Sequence, residues 1–293
     1  MKNIAFIINP IAGTHNKRRL PKQIEGLLDH GQWTPDIVFT EYKGHATELA
    51  TQYANLGFDA VVAVGGDGTV SEVAAGLRDT QTALGIIPSG SGNGLARHLC
   101  IPLRFQGAME LLNKSEAIAV DYAMLNERPF FCTCGLGFDA LISEHFATAG
   151  KRGIRTYLQQ IIKDIFQYTP EHCVLRGEGV DIETDAFLVT VANANQWGNA
   201  AYIAPQASIQ DGMLDIAVLS PFPILATPGL VMELFTKTLD KDLFMNTIRV
   251  KELTITRPTA GPFHCDGDPV EVGESAHIRV VPDGLRVLVE KRF

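Results

Sequence analysis

The segment Gly65-Gly66-Asp67-Gly68-Thr69 is the part of the sequence best suited to bind a phosphate. It directly follows an apolar run at 60–64 and precedes a helical pattern, so it is expected where a parallel strand leads into a helix. Glycines let a backbone approach a ligand closely, and the free N–H groups at the start of a helix favour an anion. The segment matches neither the dinucleotide fingerprint nor the P-loop, so neither of those enzyme classes follows from it.

The presence of an acid, Asp67, inside a candidate phosphate-binding segment has to be explained. A carboxylate about 4 Å from a phosphate charge is repelled by roughly 4 kcal/mol at an effective dielectric of 20. Asp67 is therefore expected to meet a bridging divalent cation or to accept a proton from a nucleophile. The alternative for its neighbours is a capping box in which Thr69 and Glu72 close the first helical turn. That alternative does not explain three glycines around an acid.

Two further glycine-bearing loops follow other apolar runs. Pro88-Ser-Gly-Ser-Gly-Asn-Gly94 follows the run at 84–87, and Asn9-Pro-Ile-Ala-Gly13 follows the run at 4–8, with basic residues at 17–19. Each loop alone is an ordinary strand-to-helix turn. Because the carboxyl ends of parallel strands lie at one edge of a sheet, the three together predict one extended phosphate-binding surface.

The elements that carry these loops alternate along the first 120 residues. Continuous apolar runs at 4–8, 37–39, 60–64 and 84–87 predict strands buried on both faces, and amphipathic helices lie between them. In the second helix, the apolar positions 46, 49, 50, 53 and 56 recur at helical spacing before a stop at Gly57. This alternation predicts a doubly wound α/β domain with a mostly parallel sheet at 1–120.

Near residue 118 the sequence pattern changes to runs rich in β-branched and aromatic residues, separated by turn residues. This predicts an antiparallel β-sandwich domain at 121–293 with helical insertions, whose extreme C-terminus could return to the first domain. The clearest insertion is an apolar stripe between Ile154 and Phe166 with basic flanks. It is a candidate for membrane contact, and packing on the β domain is the alternative. A cleft between the two domains is the expected ligand site.

Composition excludes several classes of protein. With 293 residues, 46% hydrophobic residues and a net charge of −8, the chain is not disordered and is a poor candidate for a nucleic-acid partner. It has neither an 18-residue apolar run nor a signal-peptide pattern, which predicts a cytoplasmic protein. Five cysteines are too few and odd in number for a disulfide framework, and the C-x-C at Cys132 and Cys134 is expected to be a pair of buried thiols.

The patterns N-P-x-x-G, G-G-D-G-T and P-x-G-S-G-N, in this order and at these spacings, resemble the diacylglycerol kinase catalytic family. That family includes bacterial soluble lipid kinases and the sphingosine and ceramide kinases. Weaker matches at 120–122, 135–139, 211–215 and 266–268 extend the resemblance over essentially the whole chain. It implies an enzyme that uses ATP and Mg²⁺ to phosphorylate the hydroxyl of a lipid alcohol, of diacylglycerol or sphingoid type. Transient contact with a membrane surface follows, and the oligomeric state stays open, a homodimer included.

The resemblance also implies roles for single residues. Asp67 would position magnesium or help activate the lipid hydroxyl, and Asp268 stands where bacterial relatives have the Glu of an Asp-Gly-Glu motif assigned as general base. Asp266 of the same motif is a further candidate catalytic residue. Asp211, with the backbone carbonyls of Ser208 and Met213, matches a structural magnesium site. The positions expected to contact the nucleotide are Asn9, Gly13, Thr40, Gly65, Gly66, Asp67, Gly68, Thr69, Val70, Ser71, Glu72, Gly90, Ser91 and Asn93.

Two positions depart from the family pattern. Asp268 is one methylene shorter than the expected Glu, and it could instead belong to an Asp-Gly hairpin turn. Gly94 stands where many bacterial relatives have Asp. Two other functions stay open. One is a NAD kinase-like enzyme, whose family shares G-G-D-G-T, although N-P-x-x-G and P-x-G-S-G-N argue against it. The other is a non-catalytic lipid- or nucleotide-binding protein on the same scaffold, which only Asp268 in place of Glu supports.

Overall fold

The computed structural model describes residues 1–11, 19–148, 164–165 and 167–290. Gly13, the basic positions 17 and 18, and the stripe residues at 154–162 and 166 lie outside the described residues. The chain divides into two compact units. One contains Met1–Tyr122 and the chain from Pro282 onward, and the other contains Ala123–Val281.

The first unit is built on a parallel sheet. Its strand order is β2-β1-β3-β4, and every neighbouring pair in it is parallel. Because β1 has later strands on both sides, right-handed connections place helices on both faces of the sheet. This is the predicted doubly wound arrangement. Its elements are β1 (Lys2–Ile8), α1 (Leu20–Leu27), β2 (Trp33–Phe39), α2 (His45–Asn55), β3 (Ala60–Gly65), α3 (Asp67–Leu77), β4 (Ala83–Pro88), α4 (Gly94–His98), α5 (Phe105–Lys114) and the start of β5 (Ser115–Leu125).

Two details of the first unit differ from the sequence prediction. Strand β2 is not buried on both faces, since it lies at the edge of the sheet and Phe39 is 36% exposed. Helix α2 ends at Asn55, so Leu56 is 72% exposed and does not belong to the buried stripe. The predicted stop is present, because Gly57 has a φ of 76°, which a side chain would strain.

The second unit is an antiparallel β-sandwich. One sheet has the order β12-β11-β10-β7-β14-β15, and the other contains β16-β13-β8-β9 with the β5–β6 hairpin beside β16. One core cluster takes buried side chains from both sheets, among them Leu136, Leu175, Ile216 and Ile255. This confirms the predicted fold class. The elements are β6 (Arg128–Phe130), β7 (Thr133–Gly137), α6 (Phe138–Thr148), β8 (Glu171–Gly177), β9 (Val180–Ala186), β10 (Leu188–Ala192), β11 (Leu214–Leu219), α7 (Thr227–Thr236), β12 (Met245–Val250), β13 (Glu252–Thr256), β14 (Gly261–Cys265), β15 (Asp268–Val272) and β16 (Ser275–Glu290).

Strands β5 and β16 each have residues in both units. The end of β16 pairs in parallel with β4, with Val287 opposite Leu84, so the end of the chain belongs to the first unit. None of the helices described is long and apolar enough to cross a membrane. The apolar segment after β11 is interrupted by Pro223 and Pro228, and α7 begins only at Thr227.

Candidate active site

The loops that follow β3 and β4 are packed against each other through glycine. A Cβ added to Gly90 would lie 2.6 Å from the Cα of Gly66, and one added to Gly66 would lie 3.2 Å from the Cα of Gly90. The N–H of Ser89 donates to the carbonyl of Gly65 at 2.7 Å. The two loops therefore form one surface, and a side chain at Gly90 would force them apart.

Asp67 joins these two loops. It opens α3, and its Oδ2 accepts the N–H of Asn93 at 2.8 Å while its Oδ1 accepts the N–H of Gly94 at 2.7 Å. Gly94 is the first residue of α4, so the carboxylate caps that helix and compensates its exposed N–H groups. A Cβ on Gly92 would lie 2.7 Å from Asp67 Oδ2, so this glycine leaves the carboxylate its room.

The loop after β4 is held in place by the side chains of Asn93 and Arg97. Asn93, with a φ of 53°, accepts the N–H of Gly90 at Oδ1 (3.1 Å) and donates from Nδ2 to the Gly90 carbonyl (2.9 Å). Arg97 donates from Nε to the carbonyl of Gly92 at 2.9 Å. A guanidinium group thus lies beside the loop, where it can attract a phosphate. Ser91 is exposed at the tip.

The loop after β1 is hydrogen-bonded to α3. Asn9 donates from Nδ2 to Thr69 Oγ1 at 3.0 Å, and its Oδ1 accepts the N–H of Ile11 at 3.0 Å. Thr69 is buried and lies in the first turn of α3. Thr40 follows β2, where its N–H donates to the carbonyl of Ile8 at 2.9 Å. The structure thus brings Asn9, Thr40 and the α3 residues to one edge of the sheet.

Glu72 caps a different helix from the one expected. Its carboxylate accepts the N–H groups of Gly44 (2.9 Å) and Ala46 (3.3 Å) at the start of α2. The capping box of Thr69 and Glu72 is therefore wrong: α3 begins at Asp67, and Thr69 lies inside it. Val70 and Ser71 lie in the first turns of the same helix.

The start of α3 fits a phosphate. Gly66 precedes the helix and has no side chain of its own to cap it. Apart from its chain neighbours and the backbone of its own helix, no heavy atom of the described chain lies within 4 Å of the position that a Cβ on Gly68 would take. Backbone N–H groups at an uncapped, open helix start are suited to phosphate oxygens. Asp67 is turned towards the α4 amides rather than left as a repelling charge.

The Asp-Gly-Asp motif lies in the second unit, at the β14–β15 hairpin. Asp266 and Gly267 have φ values of 50° and 83°, and Cys265 pairs with Asp268, so the first two motif residues form a two-residue type I′ turn. Asp268 lies outside the turn and begins β15. Its Oδ2 is 3.6 Å from Nη2 of Arg128, and both side chains are about half exposed.

Asp266 binds the backbone of the neighbouring segment 131–133. Its carboxylate accepts the N–H groups of Phe131 (2.9 Å), Cys132 (2.7 Å) and Thr133 (3.2 Å), and its own N–H donates to the Thr133 carbonyl at 2.8 Å. A carboxylate that receives three backbone N–H groups fixes the hairpin to the start of β7. Its contacts are those of a residue that positions Asp268.

A buried polar cluster lies on the face of the β10-β7-β14 strands that packs against α6. Asp139 Oδ2 accepts Thr190 Oγ1 at 2.6 Å and lies 3.1 Å from His264 Nε2. Thr190 and His264 flank Gly135 in register, and a Cβ there would lie 2.5 Å from Asp139 Oδ2. Sequence reasoning had given the cluster no role. The sequence signal for this cluster is the G-L-G-F-D motif, in which Gly135 leaves room for the Asp139 side chain.

The predicted magnesium site holds a different cation. Asp211 accepts the Met213 N–H at Oδ1 (3.1 Å) and pairs through Oδ2 with Arg249, while the Ser208 hydroxyl accepts the Gln210 N–H at 3.3 Å. A divalent ion about 4 Å from a guanidinium is repelled by about 8 kcal/mol at an effective dielectric of 20. These residues therefore do not fit Mg²⁺ while Arg249 keeps its place.

The cysteines are thiols of unequal burial. Cys134 is fully buried in β7, whereas Cys132 precedes the strand and is partly exposed, so the two are not a buried pair on one strand face. Burial, together with the nearby charge of Asp266, raises the pKa of Cys265 to about 12.

Comparison with known proteins agrees with this architecture. Residues 3–125 match the diacylglycerol kinase catalytic domain, and residues 133–289 match the YegS C-terminal NAD kinase beta sandwich-like domain. The Yersinia enterocolitica protein named "Probable lipid kinase YegS-like" is 29% identical over 270 residues, which cover 90% of this chain and 89% of the relative. The Yersinia pestis protein of the same name is 28% identical over 271 residues, with the same coverage. A solved diacylglycerol kinase structure from Bacillus anthracis has the same fold, with a TM-score of 0.74 at 22% identity over 98% of this chain and 97% of that one.

The two-unit fold, the glycine loops and these matches define an enzyme of the lipid kinase class. More specifically, the chain belongs to the family that joins a diacylglycerol kinase catalytic domain to a YegS-type C-terminal domain. The resemblance inferred from the motifs is confirmed.

Proposed function

We propose that this lipid kinase transfers the γ-phosphate of ATP, with Mg²⁺, to the hydroxyl of a diacylglycerol- or sphingoid-type lipid. The observation that carries the proposal is the contact of Gly66 with Gly90, locked by the hydrogen bonds of Asp67 to Asn93 and Gly94. It combines an open helix start with a second loop held rigidly beside it. Phosphoryl transfer requires mainly such positioning and neutralisation of charge.

The residues of the first unit would hold the triphosphate. ATP supplies the transferable phosphoryl group and magnesium neutralises its oxygens. The N–H groups from Gly66 to Thr69 would face the phosphates at the positive end of α3. Arg97 adds a guanidinium beside the second loop. Asp67 keeps this loop in place, so its first task in the proposal is to position it.

Asp268 would accept the proton of the lipid hydroxyl. It is exposed enough to meet a substrate, and Arg128 beside it orients the carboxylate. Asp266 fixes the turn that presents it. The shorter side chain, compared with Glu, requires the hydroxyl to approach more closely.

The acceptor class requires a bilayer. A lipid alcohol keeps its apolar chains in the membrane, so the enzyme must contact a membrane surface transiently to reach the hydroxyl. We expect this contact and no nucleic-acid partner.

The proposal is tested by transfer of ³²P from γ-labelled ATP to a panel of lipid alcohols in mixed micelles. The panel contains a diacylglycerol, a sphingoid base, a ceramide, phosphatidylglycerol and an undecaprenol, with NAD as the soluble control and EDTA to remove magnesium. Labelled lipid that depends on Mg²⁺ and the absence of labelled NAD are the expected results. Labelling of NAD would support the NAD kinase-like alternative, and nucleotide binding without any labelled product would support the non-catalytic one.

A further inference from the structure

We infer that Arg249 takes the place of a divalent cation in this chain, so that the Asp211 turn is stabilised by an arginine and not by a metal ion. The inference concerns a structural site in the second unit and does not depend on the substrate of the enzyme.

The sheet register delivers the arginine to the acids. Arg249 on β12 lies directly opposite Asp215 on β11, and its Nε is 3.6 Å from Asp215 Oδ2. From there its Nη2 pairs with Asp211 Oδ2. The guanidinium thus bridges the first and last residues of the D-G-M-L-D motif. Since Gly212 has a φ of 66° and the Met213 N–H holds Asp211 Oδ1 at 3.1 Å, the turn itself is fixed.

The two acids require a positive charge. Asp215 is 1% exposed, and its Oδ2 accepts no hydrogen bond from the part of the chain that is described, which leaves the ion pair with Arg249 to compensate its charge. Without Arg249, the carboxylates of Asp211 and Asp215 remain. Such oxygen groups are the ligands that hard divalent cations prefer. Removal of the arginine should therefore create a metal dependence that the natural chain lacks.

The test is thermal unfolding of the full chain without nucleotide, in EDTA and in millimolar MgCl₂. The natural chain should unfold at the same temperature in both, within about 1 °C. Arg249→Gln should unfold at least about 3 °C lower in EDTA and recover most of this loss in MgCl₂. The double variant Arg249→Gln/Asp211→Asn should show no recovery, which places the ion at this turn. Arg176→Gln is the matched control, since it removes an exposed pair with Asp181 at 3.3 Å and should respond to neither condition.

Two outcomes would overturn the inference. The first is a natural chain that MgCl₂ stabilises by about 3 °C or more, with the effect lost in Asp211→Asn, because magnesium would then displace Arg249. The second is an Arg249→Gln variant whose unfolding temperature is unchanged in both buffers. If Arg249→Gln does not fold, Mn²⁺ binding measured by EPR decides on folded proteins: the natural chain and Asp211→Asn should bind equally, and tighter binding by the natural chain would contradict the inference.

Discussion

Replacement of Gly90 by Ala perturbs the contact on which the proposed nucleotide site depends. The new Cβ would lie 2.6 Å from the Cα of Gly66, whereas carbon atoms make their best contact at about 3.5 Å or more. The two loops must therefore separate by about 1 Å. The bonds from Asn93 and Gly94 to Asp67, now 2.8 and 2.7 Å, would stretch beyond hydrogen-bonding distance. Neither Gly66 nor Gly90 has a positive φ, so backbone strain does not contribute.

A displacement of about 1 Å at a positioning group lowers the rate by roughly 100-fold, and we expect kcat/KM of Gly90→Ala to fall by about that factor. The overpacking should cost only about 1–3 kcal/mol of the free energy of unfolding. The assays are ³²P transfer from ATP to the accepted lipid, binding of a fluorescent ATP analogue, and urea unfolding. Activity and nucleotide binding should fall while the variant remains folded.

Two further variants test whether the loss of activity depends on how closely the added Cβ approaches other atoms. Gly66→Ala places its Cβ 3.2 Å from the Gly90 Cα, so its loss should be smaller. Gly26 is exposed on α1, and apart from its chain neighbours and its own helix backbone no described heavy atom lies within 4 Å of an added Cβ. Gly26→Ala should therefore keep full activity with a slight gain in stability. The reasoning is refuted if Gly90→Ala retains activity within threefold of the natural chain, or if Gly66→Ala loses more than Gly90→Ala.

Four other predictions follow from the described contacts and burial. Asp67→Asn turns an amide N–H towards backbone N–H groups, so phosphate transfer should be abolished while the circular dichroism spectrum is unchanged; near-full activity would remove Asp67 from the proposed site. Asp268→Asn should flatten the acidic limb of the pH profile of kcat/KM, and an unaltered profile would move the general base elsewhere. With Ellman's reagent at pH 8, exposed Cys100 should react fast and Cys132 more slowly, whereas rapid reaction of the buried thiols would contradict the structure. Burial raises the pKa of three thiols, Cys134, Cys173 (pKa about 11) and Cys265 (pKa about 12). The folded state therefore holds their protons more tightly than the unfolded state does. The free energy of unfolding measured in urea should fall as pH rises above about 9.

The strand and helix pattern was predictable because buried parallel strands are short, continuous apolar runs. The run at 60–64 corresponds to β3 almost residue by residue. The exposure of strand β2 was not predictable, since whether a strand has a second neighbour depends on sheet order and not on its own residues. Phe39 is exposed for this reason.

The loops of the candidate site were predictable from their glycines, but the partners of its acids were not. Asp67 bonds to amides 26 and 27 residues away, and Asp266 bonds to amides 133 to 135 residues away. These contacts depend on how loops and strands pack. Glu72 illustrates the difference, because its local spacing favoured a cap on its own helix and the fold gave it the start of α2.

The central claim, that the packed glycine loops hold a triphosphate, is tested most directly by a crystal structure with a non-hydrolysable ATP analogue and magnesium. The expected density places the phosphates against the N–H groups between Gly66 and Thr69, beside the loop that contains Gly90. Density for the nucleotide at another place, with this edge of the sheet left empty, would contradict the account.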